Sequence, residues 1–279
     1  DNPIMRTVTM MRQHITEPGD YFDHVTEVGE SGGIYFYTER SEFMAKVYEY
    51  FTSDAYKEDT DYALAIAYRN VSVDALNKCI RRRRYPGIEA EYVEGEELRI
   101  ARGYRRMLKS TKRGKVRYEE ESVYSMEERV KVLNVIDMPD GDPEYHIGCY
   151  KLTVVNFRAL PGHRKQCTAY VVKPSEKEKL DLLKADLAKE CRERAKELGQ
   201  MGRHKYTKKE AWEPYNKLKN HFMYVGYIYA MTVYKAQGTT VQNAFVVERD
   251  MNVCTDVILR NKLKYTAFTR AAKELHVLD

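Results

Sequence analysis

Apolar residues along the first hundred positions recur with two alternating periods. Ile4, Val8, Met11 and Ile15 fall on one helical face, and Asn2 followed by Pro3 offers a cap and a first helical residue. IYFYT (34–38) predicts a strand. A helix opened by Ser41 follows, with Phe43, Val47 and Phe51 on one side. YALAIAY (62–68) predicts a second strand, and Ser72 starts a helix carrying Val73, Leu76 and Ile80. The end of the chain resumes the pattern. YVGYIYAMTV (224–233) and AFVVE (244–248) read as strands, 255–272 as a helix and LHVL (275–278) as a strand. Such alternation predicts an α/β domain with a largely parallel sheet.

The middle of the chain breaks the pattern. Residues 92–173 are rich in Val, Tyr, Thr and turn residues, with PDGDP (139–143) as a turn, and predict a small β module. Two helices follow. Ser175 and Glu178 form a capping-box pair, and Leu180, Leu183, Leu187, Cys191 and Leu198 line one stripe. Thr207 and Glu210 repeat the box before Ala211, Tyr215, Leu218 and Phe222. The expected organisation is an α/β domain formed by 1–86 and 224–279, interrupted by a β module with a helical arm at 87–223.

Composition narrows this little. Hydrophobic residues make up 43% of the 279, enough for a packed core. No apolar run reaches the ~18 residues that span a bilayer. The five scattered cysteines suit reduced thiols in a cytoplasmic protein, inside a bacterial host if the gene is a phage's. The net charge of +5 hints at an acidic partner without naming one.

Several stretches could carry chemistry. TVYKAQGTT (232–240) places Lys235, Gln237, Gly238 and hydroxyls directly after a strand, a supply of N–H groups, a cation and O–H donors that suits phosphate oxygens. An ordinary polar turn is the alternative. KYTAFTRAAKEL (264–275) sets Arg270 before the last strand, where it reads equally as a surface arginine with its stem on the core. In AYRNVSVDALNKCIRRRR (67–84), Asn70 and Ser72 are candidate helix caps. Residues 81–117 hold 13 Lys/Arg against 5 Glu, a net of +8. That is either a solvated face or a track for a nucleic-acid backbone, with Tyr85, Tyr92, Tyr104 and Tyr118 offering stacking faces. His146, Cys149, His163 and Cys167 approach zinc-site spacing, but HIGCYKL reads as strand, in which positions three apart face opposite ways. No metal site is expected there.

Taken in order, these pieces resemble the C-terminal half of superfamily 1 DNA helicases of the RecD/Dda type, most closely phage members of that type. DNPIMRTVTMMR resembles the opening of the second RecA-like domain, AYRNVSVDALNKCIR motif IV, VEGEEL and the following β-rich stretch the inserted SH3-like module, and KEAWEPYNKLKNHF its helical tower. TVYKAQGTTV resembles motif V and YTAFTRA motif VI.

The resemblance implies a RecA-like parallel-sheet domain interrupted by an SH3-like module. It implies the motor half of an ATP-dependent DNA helicase, moving 5′ to 3′ on single-stranded DNA and using ATP with Mg²⁺. Arg270 would be the arginine finger. Lys235, Gln237 and Gly238 would couple nucleotide to DNA, while Asn70, Ser72, Thr232, Tyr234 and Thr239 would meet the strand. Trp212 would lie at the tower, where packing the arm is its alternative role. The implied partners are single-stranded DNA, a first RecA-like domain, and a single-strand-binding or replisome protein. Two departures stand out. Tyr234 occupies a position where the family usually has His, and a phenol cannot become cationic. The sequence also lacks a G-x-x-x-x-G-K-[ST] phosphate loop, so the Walker lysine and magnesium-binding carboxylates are expected from a first domain, and this chain alone is expected to be inactive. The competing reading is a non-catalytic module that binds single-stranded nucleic acid, or half of a split motor.

Overall fold

The computed structural model describes residues 2–19, 21–112, 115–200 and 210–279, and the side chains of all of these except 107–112 and 115–119. The chain divides into two compact units, Asp1–Glu89 with Ile228–Asp279, and Ala90–Tyr227.

The first unit opens with helix α1 (Pro3–Gln13), whose cap is Asn2 as expected: its side chain accepts from the N–H of Ile4 and Met5. Strands β1 (Glu27–Gly29) and β2 (Gly32–Tyr37) form a hairpin. Helices α2 (Arg40–Thr52) and α3 (Asp54–Glu58), strand β3 (Ala63–Ala67) and helix α4 (Asn70–Arg84) follow. The chain then builds the second unit from strands β4 (Glu97–Arg102), β5 (Tyr104–Lys112), β6 (Lys115–Tyr124), β7 (Arg129–Met138), β8 (Cys149–Val155) and β9 (Gln166–Val172). Helices α5 (Lys177–Gln200) and α6 (Glu213–His221) and strand β10 (Tyr224–Tyr227) complete it. Strand β11 (Ala230–Thr232), helix α7 (Val233–Ala236), strand β12 (Val241–Val247), helix α8 (Val257–Phe268) and strand β13 (Ala271–Leu278) return to the first unit.

The first unit is a mixed α/β domain. Its sheet runs β1-β2-β13-β12-β3-β11, parallel throughout except for the β1–β2 hairpin. Both faces are covered, so β3 is buried at all five positions. Successive residues supply the two faces. Leu64, Ile66, Ala244 and Val246 join the cluster with Ile4 and Val8 of α1 and Leu263 and Phe268 of α8. Phe245 turns the other way, to Phe43, Tyr50 and Phe51 of α2.

His276 is stacked on that second face, 4.4 Å from the Phe245 ring and 4.8 Å from the Tyr35 ring, with Nδ1 2.9 Å from the Tyr37 hydroxyl. It is 2% exposed, and burial pushes its pKa down to about 4 against the pull of Glu274.

The second unit carries a five-stranded antiparallel sheet, β10-β4-β7-β8-β9, and a separate two-stranded ribbon, β5-β6. One face of the sheet packs Leu98, Ile100, Val130, Leu152 and Cys167 with Tyr92 and Tyr104. Those two tyrosines are 9% and 8% exposed, so they are core residues and not the stacking faces expected of them. The other cluster gathers Cys149 and Ile147 with Leu180 of α5 and Leu218 and Phe222 near α6. Cys149 and Cys167 thus sit in different apolar clusters and share no coordination shell. In the PDGDP turn, the buried Asp142 accepts from the N–H of Glu144, Tyr145 and Ile147 and lies 2.9 Å from His221 Nε2. Burial opposes its charge, but these donors outweigh burial and hold its pKa below the ordinary value.

A 3₁₀ turn, Pro174–Glu176, leads into α5; Lys173 holds its cap position without a side-chain cap bond, so Ser175 lies inside the turn and is not the cap expected of it. The Thr207 box lies outside the described residues. Among the described residues, no helix is long and apolar enough to cross a membrane.

Two other boundaries differ from expectation for physical reasons. The run YVGYIYAMTV is not one strand. Tyr224–Tyr227 pairs antiparallel with β4, while Ala230–Thr232 pairs parallel with β3. An all-apolar run has no period to reveal such a break. The predicted helix 255–272 ends at Phe268, because Thr269 turns its hydroxyl back onto the carbonyls of Tyr265 and Thr266.

β11 is an edge strand with no neighbour beyond it in the sheet. Asn77 of α4, 4% exposed, stands in for one: its amide donates to the Ala230 carbonyl at 3.0 Å and accepts from the Ala230 N–H at 2.9 Å.

Two predictions follow from these buried polar groups. Asn77→Ala leaves both Ala230 groups without these bonds and lowers unfolding free energy by about 2–4 kcal/mol, whereas Lys78→Ala on the exposed side changes it little; urea titration measures both. For His276, the native ring stays neutral down to about pH 4 while the unfolded ring takes up a proton near 6.5. The unfolded state therefore binds more protons in that window. Stability is complete above it and falls by about 3 kcal/mol as pH drops through it. Thermal melts across the window record the decline, and His276→Gln flattens it.

Candidate functional site

The polar segment 232–240 runs from one end of the parallel sheet to the other. Thr232, the last residue of β11, is level with Ala67 at the carboxyl end of β3. Val241, the first residue of β12, is level with Ala271 at the amino end of β13. Between them, the short helix α7 buries Val233 and Ala236 and exposes Tyr234 and Lys235. Thr232 caps it, accepting from the Lys235 N–H at 3.4 Å, and is itself 8% exposed. Its hydroxyl thus has a structural use as the cap of this helix. Gln237 ends the helix and is exposed. Gly238 adopts φ +86°, a left-handed conformation in which a side chain would be strained. The Thr239 N–H closes the turn on the Ala236 carbonyl at 3.0 Å.

Arg270 sits at the amino end, in the turn between α8 and β13. Its guanidinium donates to the Thr266 carbonyl from Nε at 2.8 Å, to the Thr269 hydroxyl from Nη2 at 2.7 Å and to the Thr239 carbonyl from Nη1 at 3.0 Å. Its own carbonyl accepts from the Val241 N–H at 2.9 Å. The charge is half-buried, and three of its five donors are tied to neighbouring oxygens. Arg270 and the 237–240 loop are therefore one hydrogen-bonded piece. Such an assembly of donors and cations suits phosphate oxygens. Magnesium sites are commonly anchored by carboxylates, and none stands among Gln237, Gly238, Thr239, Thr240 and Arg270.

The carboxyl end holds the other candidates. Asn70 is the first residue of α4 and is exposed, but it is not the cap; Arg69 holds that position and makes no side-chain cap bond. The turn into α4 is held by Asp250, which follows β12. One of its carboxylate oxygens, Oδ2, accepts from the N–H of Tyr68 at 2.9 Å and of Arg69 at 2.7 Å. The other, Oδ1, accepts from Arg69 Nε at 2.6 Å and the Ser72 hydroxyl at 2.7 Å. Burial raises the cost of this charge, but the Arg69 N–H, the Ser72 hydroxyl and the guanidinium outweigh it and hold the pKa below the ordinary value. The Ser72 hydroxyl is thereby turned to Asp250, and Ser72 lies inside α4 and is not its cap. Tyr234 is 57% exposed, and its ring lies 6.4 Å from that of Tyr68.

Sequence reasoning missed Asp250, Arg69 and Asn77. The Asp250 bonds join positions about 180 residues apart, a pairing with no local pattern. A second buried ion pair was missed likewise. Lys264 Nζ lies 2.6 Å from Glu248 Oε1, and His24 Nε2 lies 3.1 Å from Oε2. The hydrogen bond to Glu248 raises the His24 pKa, against partial desolvation. His24, Glu248 and Asp279 lie close enough to share an ion, but Lys264 already neutralises Glu248.

The expected basic track is partly spent on packing. Arg81 is 8% exposed, and Arg84 lies 4.7 Å from the Tyr56 ring centre and donates to the Phe51 carbonyl. Trp212 belongs to the second unit, where it precedes α6, half-buried and edge-on to Tyr215 at 5.4 Å.

Comparison with known proteins bears on one part of this chain. No curated protein matches it. Among solved structures it is similar to the Pif1 helicase from Candida albicans, with a TM-score of 0.37 and 9% identity over 86% of this chain and 54% of that one. The chain thus spans about half the length of that helicase chain. Residues 227–278 match the UvrD-like helicase C-terminal domain. This matched stretch contains the 232–240 segment, Asp250, Lys264 and Arg270.

Proposed function

We propose that this chain is the second motor half of an ATP-dependent superfamily 1 DNA helicase of the RecD/Dda type. The single observation that carries the reading is the bond from Arg270 to the Thr239 carbonyl. It fixes a cation of permanent charge to a loop whose other end, Thr232 and Tyr234, lies at the far side of the sheet beside Asn70. The similarity of residues 227–278 to a helicase C-terminal domain supports the same assignment.

In this reading, Arg270 reaches the γ-phosphoryl of an ATP held by a separate phosphate-loop domain. Its fixed charge stabilises the negative charge that develops as the phosphoryl transfers. That other domain supplies the magnesium ligands. Lys235, Gln237 and Gly238 sense the nucleotide. Asn70, Tyr234 and Thr239 meet the single strand, and closure and opening of the two domains convert hydrolysis into 5′ to 3′ steps. Tyr234 contributes a hydrogen bond and a stacking face where a histidine would add charge. The second unit serves as the SH3-like insertion, with Trp212 packing its arm.

The test is reconstitution. This chain alone shows no ATPase. Joined to the phosphate-loop domain of its enzyme it shows ATPase stimulated by single-stranded DNA, and Arg270→Ala lowers that turnover about 10³-fold while ATP still binds. Near-wild-type turnover in the variant refutes the finger assignment. Strand binding with no ATPase in the joined protein identifies a non-catalytic binding module instead.

A further inference from the structure

The carboxyl end of the sheet carries an arginine that the fold has already neutralised. The Arg69 side chain is 48% exposed, while that of Asp250 is 3% exposed. Arg69 Nε and Nη2 both lie 2.6 Å from the same oxygen, Oδ1, and the Ser72 hydroxyl donates to it as well. The second oxygen takes the backbone N–H groups of Tyr68 and Arg69. A buried carboxylate thus holds the two N–H groups that lead into α4. A phosphate arriving at this turn meets an arginine whose charge is matched and a serine whose proton points inward. The exposed neighbours of Arg69 at this end include Asn70, Tyr234 and Lys235.

We infer that Asp250 is a positioning residue that withholds Arg69 from the nucleic-acid backbone, so that Arg69 adds no phosphate contact at this end of the sheet. The inference rests on the proposed strand-binding reading and deepens it. It assigns Asp250 a role in setting how steeply binding depends on salt. A carboxylate is required for this, because it accepts from all four donors at once. In Asp250→Asn the amide oxygen can keep the two backbone N–H bonds, and the amide NH₂ can donate to the Ser72 oxygen. That NH₂ cannot accept from the guanidinium, so Arg69 is released while the turn stays capped.

The experiment is binding of fluorescein-labelled oligothymidylate to this chain, followed by anisotropy over a sodium chloride series. Asp250→Asn binds more tightly at low salt, and its slope of log K against log salt is steeper by about 0.7, the contribution of one added phosphate contact on a single strand. Asp250→Asn/Arg69→Ala returns to the wild-type slope. Arg69→Ala alone keeps the wild-type slope, a test that does not depend on the Asp250 variant folding. Loss of fold alone would change affinity without making the slope depend on Arg69. An unchanged slope in Asp250→Asn, a steeper slope that persists in the double variant, or a shallower slope in Arg69→Ala overturns the inference.

A second readout needs no nucleic acid. The Arg69 Nε–H resonance exchanges slowly with water in the wild type and faster in Asp250→Asn. Fast exchange in the wild type defeats the inference by itself. The expected resonance behaviour with no oligonucleotide binding in any variant defeats the strand-binding reading, and this inference falls with it.

Discussion

A parallel strand starts at the opposite end of the sheet from where its predecessor stopped. This constraint governs the first unit. β11 and β12 both run parallel to β3 and lie on either side of it, so the eight residues joining them must cross the height of the sheet. Those residues are Val233–Thr240. One short segment therefore touches both ends of the sheet. Its exposed groups are divided between Tyr234 and Lys235 near the start and Gln237, Gly238 and Thr240 near the finish.

Side-chain hydrogen bonds hold both termini of that segment. At the amino end, Arg270 ties the loop to the turn before β13. At the carboxyl end, Asn77 holds Ala230 at the edge of the sheet, and Asp250 holds the turn from which Asn70 projects. α4 is thus fastened to the strand that enters the segment and to the turn that follows β12. A displacement at either end has stiff neighbours to act on. In the proposed motor, nucleotide and strand would be coupled through this frame and not through a flexible linker.

Much of the fold was legible because burial enforces simple periods. The α1 face of Ile4, Val8 and Met11 and the β3 run from Ala63 to Ala67 announce themselves. The break at Ile228 and Tyr229 does not, since apolar residues continue through it. Tyr92 and Tyr104 lie in a basic stretch where a tyrosine reads as a surface ring, whereas Tyr92, in the loop before β4, and Tyr104, which opens β5, both pack into the core of the second unit. Candidate chemistry was legible only where it was local. Lys235 to Thr240 and Arg270 stand out as short motifs. Asp250 stood between unremarkable neighbours, and only the parallel pairing of β3 with β12 brings it to Arg69.

The central claim is that the two ends of the 232–240 segment have different partners. Amide hydrogen exchange on this chain, with and without oligothymidylate, tests it most directly. The account predicts slower exchange for Asn70, Val71 and Tyr234 when the oligonucleotide is present, and no change at Val241 or Arg270. Protection centred on Arg270 and Val241, with Asn70 and Tyr234 unaffected, would contradict it.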